Sequence, residues 1–559
     1  MKATRRSFLG GCAAVTVAGP SVLAAESPVL KIGIVTDTHV VPDPASCRPV
    51  QAAWELFRRE RTDAVFNLGD IADLFDETAY RNYRAAVDAV LSNGEWKPDE
   101  LYVWASHDAF GYRGSTNRAV PPRRHEAFAE AARLLRSPNG EWAEREWKGY
   151  PFLVVPMYLD LSEYRGRYEE TIRRACETHP GKPVFLLDHI PPVGTVQNSD
   201  HWGDWRRTEV LARYPQVVDL TGHVHGSLRN ENLIWQGPYT VVNFGCMTAW
   251  GGGLVGAEAP GGISHGAGVL EVYPDRLVVR RFNDVVNAPE SEDPPWTIPW
   301  PFDPKTAPYS AAAKRRQPEP AFADAARLQF DPATLTLAFP EAEDGGPAYL
   351  YRIRAQASVF EVYSQFAVDR PRRGQNRVTL DAASLPGGAA CRFTVTPVGF
   401  GLQEGRPLAL EATLPARPSD VVQTTSVLSD PMRELDFRWE SWCTPKTPDA
   451  DGFIRTQYDD EITFGFPAAA FAGKVGSRFL VTMDLSVDLP DGFGYSIELN
   501  QRSPRKRFSR TKTVSGRGER MRVVTSCEKG PDGSEIYFWI GRAAGRFRID
   551  RVTVEEVCG

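Results

Sequence analysis

The stretch Leu30-Lys31-Ile32-Gly33-Ile34-Val35-Thr36-Asp37-Thr38-His39 decides the fold. A short, mostly apolar run of strand character ends in two side chains of types that can bind metal ions, Asp37 and His39. The pattern recurs along the chain: Ala64–Leu68 leads to Gly69-Asp70, and Leu101–Trp104 to Ser106-His107-Asp108. Pro183–Leu187 leads to Asp188-His189, and Val217–Leu220 to Gly222-His223-Val224-His225. Phe152–Val155 is a further apolar run. Between the runs lie Gln51–Arg61, Glu77–Leu91, Arg124–Arg136 and Tyr168–Glu177, rich in Ala, Glu, Arg and Leu, as helices are. Strands alternating with helices predict a mainly parallel, helix-covered sheet, and ligands of such sheets bind beyond the carboxyl ends of the strands. Five of the nine histidines stand at those ends, interleaved with aspartates, a coincidence too large for scattered surface residues.

The order D-x-H, G-D, H-D, H and G-H-x-H over roughly residues 29–285 resembles the calcineurin-like metallophosphoesterase family. The resemblance implies a four-layer α/β/β/α sandwich and two divalent ions. It would place one ion on Asp37, His39, Asp70 and His225, and a second on Asp70, His189 and His223, with Asp70 bridging. Imidazole and carboxylate ligands suit Mn, Fe or Zn better than Ca or Mg alone. It also implies hydrolysis of a phosphate ester by a hydroxide bridging the ions, with His107 beside the leaving-group oxygen and Asp108 orienting it. One position departs: the family's Asn ligand to the second ion is here Ser106, a shorter and weaker neutral ligand. Asp73 stands where purple acid phosphatases carry Tyr, and Asp37-x-His39 where they carry D-x-G. The chain therefore looks more like the phosphodiesterase-type branch, which leaves mono- and diesters both open.

Recognition of the rest of the substrate is weakly marked. Arg113, Arg123, Arg124 and His125 are either phosphate contacts or a solvated helix start. The glycine-rich segment Cys246–Gly268 is either a flank of the metal centre or a loop without contact.

Residues 1–25 read as an export signal. Lys2, Arg5 and Arg6 precede a run of small and apolar residues, and Thr4-Arg5-Arg6-Ser7-Phe8-Leu9 resembles a twin-arginine signal. The expected location is periplasmic or secreted, with no transmembrane anchor once the signal is removed. That removal takes three basic residues and no acids, moving the formal charge from −6 to −9. Such a charge argues against a nucleic-acid-binding module. Eight Cys without a C-x-x-C pair exclude a zinc or redox motif of that type; Cys443, Cys527 and Cys558 are open to pairing. With 42% hydrophobic and 24% charged residues the 559-residue chain is not disordered, and its length suits three or four domains at about 150 residues each.

The expected divisions are a catalytic domain over 26–286, a proline-rich linker over 287–321, a β-sandwich over 322–415 and a β-domain over 416–559. Nine prolines between residues 287 and 320 suggest extended chain on the surface. After Phe322 alternating strands replace helices. Leu385-Pro386-Gly387-Gly388 with Cys391–Pro397 loosely resembles late strands of a fibronectin type III domain, with Phe393 where a corner Tyr is usual. The ending Phe547–Val554 resembles the closing strand of jelly-roll modules that often bind carbohydrate. Trp439, Trp442, Tyr458 and Trp539 are candidate sugar platforms or core. The basic stretch from Arg502 to Lys512 is either a solvated loop or a contact for an anionic glycan. The sequence thus predicts an exported phosphoesterase, with a diester favoured over a monoester. The rival reading is a catalytically weak scaffold that presents β-modules to a glycan.

Overall fold

The computed structural model describes residues 27–112, 121–157, 163–248, 265–355, 358–364, 375–380, 388–414, 421–439, 445–456, 461–488, 495–502, 506–512, 517–531, 533–541 and 545–558. The first sheet contains β1 (Leu30–Val35), β2 (Ala64–Asn67) and β3 (Asp99–Tyr102) in parallel. Between them run helices α1 (Arg48–Glu60) and α2 (Glu77–Leu91). Asp76 starts α2 by accepting from the amides of Thr78 and Ala79, satisfying two of the donors a helix start leaves open. The short helix α3 (Ser106–Ala109) follows β3, and α4 (Pro121–Leu135) begins three residues before the expected helix, with proline in its first turn.

The second sheet has the order β4-β5-β6-β7-β9-β8. Its members are β4 (Ala143–Trp147), β5 (Tyr150–Val154), β6 (Val184–Leu187), β7 (Val217–Thr221), β8 (Ile234–Gln236) and β9 (Thr240–Asn243). The chain then returns to the first sheet as β10 (Ala267–Val272), β11 (Arg276–Phe282) and β12 (Asp293–Pro299), giving the order β12-β11-β10-β1-β2-β3. Both sheets are therefore mixed. β10 lies antiparallel to β1, a return strand that the periodicity of the front half did not announce.

Leu30, Ile32 and Ile34 of β1 share one buried cluster with Phe152, Leu186 and Leu220 of the second sheet, so the sheets pack face to face. On the other side of the first sheet, Val65 and Tyr102 are covered by Phe57, Tyr80, Val87 and Phe128 of α1, α2 and α4. Each such fully buried large side chain is worth roughly 1.5–3 kcal/mol. The helix Glu169–Thr178, entered through a π-turn at Tyr164–Tyr168, contributes Ile172 to the second sheet's outer layer.

Part of the proline-rich stretch is strand rather than extended linker. β12 pairs with β11, and its Trp296 and Ile298 are buried. It is an edge strand: Pro295 and Pro299 share the side of Thr297, whose N–H points away from β11 to Tyr309 Oη, and Pro294 lies where the pairing with β11 shifts register. Alternate burial of the apolar residues outweighs the missing donors. Lys314 of the following short helix is buried, its Nζ donating to Asn232 Oδ1 (3.0 Å) and the Ile234 carbonyl (2.7 Å).

Beyond it, a three-stranded sheet (Gln329–Asp331, Thr336–Pro340, Gln375–Thr379) and a four-stranded sheet (Ser358–Tyr363, Ala348–Ala355, Ala390–Gly399, Leu408–Thr413) enclose Leu337, Phe339, Tyr351, Ile353 and Phe393. The last region holds two five-stranded sheets around Ile462, Phe464, Phe479, Met483, Phe538 and Phe547. Both arrangements are consistent with β-sandwich domains. Among the described residues no helix is long and apolar enough to cross a membrane. Cys47 and Cys176 are free thiols. The signal segment, Cys443, Trp442, Tyr458 and the side chain of Cys558 lie outside the described residues.

Candidate metal centre

The carboxyl ends of β1, β2, β6 and β7 and the turn after β3 bring the expected residues together. Asp37 and His39 follow β1, Asp70 follows β2, Ser106 and His107 follow β3, His189 follows β6, and His223 and His225 follow β7. The turns are sharply bent. Asp37 (φ 50°), His39 (41°), Asp70 (50°), His223 (72°) and His225 (50°) all occupy the left-handed region. Side chains other than glycine rarely do so, and the cost of order 1 kcal/mol each is typical of sites where the surroundings fix the backbone.

Two glycines leave the room these ligands need. A Cβ on Gly222 would lie 2.0 Å from Thr36 Oγ1 and 2.5 Å from Asp37 Oδ2. Gly69 has φ 104°, and a Cβ there would lie 2.8 Å from His189 Nδ1.

Asp37 is fully buried, and its two oxygens are treated differently. Oδ2 accepts from Thr36 Oγ1 (2.7 Å) and the His223 amide (2.9 Å). Oδ1 is buried without a hydrogen-bond partner; it stands 3.0 Å from His225 Nε2 and 3.8 Å from His39 Nε2. The Nε2 atoms of His39 and His225 are 3.2 Å apart. A second group adjoins the first: His189 Nε2 lies 3.1 Å from Asp70 Oδ2 and 3.2 Å from His223 Nδ1, and 3.8 Å from Asp37 Oδ1. Ligand atoms bound to one ion at about 2.1 Å sit roughly 3.0–3.4 Å from one another. An orphaned carboxylate oxygen and converging imidazole nitrogens at such spacings fit a metal ion in each group. The groups Asp37–His39–His225 and Asp70–His189–His223 each offer three ligand atoms.

The surrounding contacts fix the ligands. His189 Nδ1 donates to the Leu68 carbonyl (2.8 Å), which leaves Nε2 to face the centre. Behind it, Asp188 accepts from the His189 amide (2.7 Å) and meets the buried Arg207, which also grips Asp219 at 2.7 and 2.8 Å. Asp70 Oδ1 accepts from the His107 amide (2.9 Å) and has Ser106 Oγ at 3.5 Å. Asp70 thus sits with the second group, and Ser106 sits against it.

Charge follows the same pairing. Burial alone would raise Asp37, but the facing His225 and His189 hold it well below the usual carboxylate range. Asp70 is lowered likewise, burial being outweighed by His189. Burial would lower His39 and His189, but their carboxylate neighbours lift them to about 10 and about 9. Removal from water and the neighbouring His189 push the half-buried His223 well below the usual imidazole value.

One expected contact is not formed. Asp108 does not orient His107. Its Oδ1 accepts from the amides of Ile71 (3.0 Å) and Ala72 (3.3 Å) and from Tyr80 Oη (2.8 Å), while Oδ2 accepts from the Ala105 amide (3.0 Å). It ties the Asp70 turn to the His107 turn. His107 Nδ1 donates instead to the carbonyl of Asp73 (2.6 Å). That hydrogen bond places the proton on Nδ1 in the neutral ring.

His125 is exposed and held by Glu141 Oε1 at 2.5 Å, while Arg124 is buried. Arg113 and the side chain of Arg123 lie outside the described residues. The start of the glycine-rich segment does reach the centre's backbone: the Met247 amide donates to the Thr36 and Asp37 carbonyls, and Thr248 Oγ1 to Thr38 O (2.8 Å). Residues 249–264 lie outside the description.

Thr36 and Asp73 escaped the sequence reading as parts of the site. Thr36 is the immediate neighbour of Asp37. Asp73, three residues after Asp70, stands in the sequence only where purple acid phosphatases carry Tyr; its contacts with His39 and His107 show only in the folded turn.

No family model and no curated protein matches the chain. Among solved structures it is similar to a dimetal phosphatase from Danio rerio, at 14% identity and a TM-score of 0.33, covering 49% of this chain and 100% of that one. A conserved uncharacterised protein from Streptococcus pneumoniae, described as a predicted phosphoesterase, matches at 13% identity and a TM-score of 0.21, over 48% and 97%. Xylanase modules from Clostridium thermocellum match at 14% identity and a TM-score of 0.17, over 24% and 28%. The assignment of the centre rests on its own residues.

Proposed function

We propose that the front domain is a dinuclear metal-dependent phosphoesterase of the calcineurin-like type, on an exported chain. The observation that carries the reading is the buried Oδ1 of Asp37, which makes no hydrogen bond and faces three histidines, with Asp70, His189 and His223 alongside. Asp37, His39 and His225 would hold one ion, and Asp70, His189 and His223 the other, with Ser106 Oγ beside Asp70. When bound, such ions neutralise phosphoryl oxygens and acidify water.

The chain's own residues supply the rest. Thr36 and the His223 amide hold Asp37 so that a single oxygen faces inward. The hydrogen bond to Asp73 turns His107 so that Nε2 is the atom left to exchange a proton with an ester oxygen. Phosphodiesters are the favoured substrates, monoesters the alternative.

The two rear β-domains fit a fibronectin-type spacer and a terminal glycan-contact module. Trp539 supports the latter: it is half-buried, with its indole N–H donating to Glu461 Oε2 (3.2 Å). Trp439 packs against the core cluster instead.

The test uses residues 26–559. Metal per chain is counted, and phosphodiesters and phosphomonoesters are assayed with added Mn²⁺. Two equivalents and turnover are expected, and Asp70→Asn abolishes both turnover and the second equivalent. No turnover with less than one equivalent would overturn the enzymatic reading in favour of the glycan-binding scaffold.

A further inference from the structure

We propose that Asp73 is a positioning residue of the metal centre: its carboxylate backs His39 while its carbonyl holds His107. The inference rests on the metal reading of the centre and adds to it a residue outside both ligand groups.

Three contacts of different kinds meet at this one residue. Its amide donates to the Val40 carbonyl (3.1 Å), which fixes the turn after β2 against the turn after β1. Its carbonyl accepts from His107 Nδ1 at 2.6 Å. Its carboxylate Oδ1 lies 3.5 Å from His39 Nδ1 and 3.7 Å from His107 Nδ1, and is buried without a hydrogen-bond partner.

The His39 ring is thus used on both sides. Nε2 converges with His225 Nε2 and Asp37 Oδ1, while Nδ1 faces the Asp73 carboxylate. A carboxylate on the far nitrogen keeps the proton there, presents the lone pair of the near nitrogen and makes the imidazole a better donor to an ion. His189 has a backbone carbonyl in that role; His39 has an anion. The first group should therefore bind its ion more firmly than its three ligand atoms alone would. The same residue also fixes the tautomer of His107, so ligand and proton carrier are set by one turn.

The test compares the native chain with Asp73→Asn, which removes the charge and keeps the backbone carbonyl. Co²⁺ is titrated into the metal-free proteins and followed by its visible spectrum. The titration is repeated in a His223→Ala background, where the Asp37–His39–His225 group binds alone. Loss of an outer carboxylate lowers metal affinity roughly 10–100-fold, so the first site should weaken by that factor with a shifted cobalt spectrum. The second site and the thermal unfolding of the metal-free protein should stay unchanged, and Asp73→Glu should recover part of the affinity.

Unchanged affinity and spectrum would overturn the proposal. So would an equal drop at both sites with a lower metal-free unfolding temperature, which marks a merely structural turn. A third equivalent of cobalt lost with Asp73 would make the residue a ligand instead. If the native chain binds no cobalt, the metal reading itself falls, and this proposal with it.

Discussion

Ser106 Oγ stands 3.5 Å from Asp70 Oδ1, inside the turn where the family resemblance calls for an amide. The hydroxyl is buried and reaches less far than an asparagine oxygen from the same backbone. An ion in the second group would therefore meet one carboxylate and two imidazoles, with a neutral oxygen of shorter reach beside them.

Ser106→Asn should tighten the second ion by about tenfold, the lower end of what one ligand-shell change is worth, and leave the first unchanged. Chelator competition with two resolved equivalents measures this. If the rate at limiting metal rises in step, occupancy of the second site limits turnover.

Metal uptake should release protons. His39 and His189 titrate at about 10 and about 9, so both carry a proton in the metal-free protein at pH 7. Imidazole binds an ion only when that proton has left. The sign follows: affinity rises with pH up to about 10, where the last of the two protons is lost, and falls as acid is added. Calorimetry at pH 7 in buffers of different ionisation enthalpy should report about two protons released per doubly loaded chain. No proton release would mean the histidines are not ligands.

Asp108→Ala should act on stability before chemistry. It strands four donors, the amides of Ile71, Ala72 and Ala105 and the hydroxyl of Tyr80. An unsatisfied buried donor costs about 1–3 kcal/mol, so a loss of more than about 3 kcal/mol is expected from denaturation of the front domain. Asp108→Asn, which keeps an acceptor, should lose less. A stable Asp108→Ala protein with a selectively altered pH profile would restore the expected role beside His107.

Lys314 gives a separate handle on pH. Burial pushes it down from 10.5 to about 7. Between those values the unfolded chain carries a proton that the folded one lacks, so stability rises as pH climbs from 7 toward 10.5, by up to about 1.4 kcal/mol per pH unit. Lys314→Met removes this contribution. The difference between native and variant unfolding free energies should therefore shift in the native protein's favour from pH 7 to pH 9, and an identical difference at both would contradict the assignment.

Much of the centre was legible because a parallel strand ends where its sequence stops being apolar. Leu30–Val35 before Asp37 and His39, or Val217–Leu220 before His223 and His225, puts ligands at strand ends by chain connectivity alone, and the structure collects them there. Contacts across the fold were not legible. Asp108 looks like a partner of its neighbour His107, but its four donors come from Ile71, Ala72, Tyr80 and Ala105, and three of these belong to other turns and helices. Asp73 acquires meaning only when the turns after β1, β2 and β3 touch. Proline count suggested a linker over 287–321, whereas burial of Trp296 and Ile298 on a sheet edge made part of it strand.

The sequence by itself determined which side chains can bind a cation and at which strand ends they stand, because residue chemistry and strand period are local. Only the tertiary structure decided which oxygen of Asp37 faces the histidines, which nitrogen of each histidine faces inward and what backs it. Those choices depend on backbone turned to positive φ and on partners 34 to 186 residues away, which no local pattern encodes.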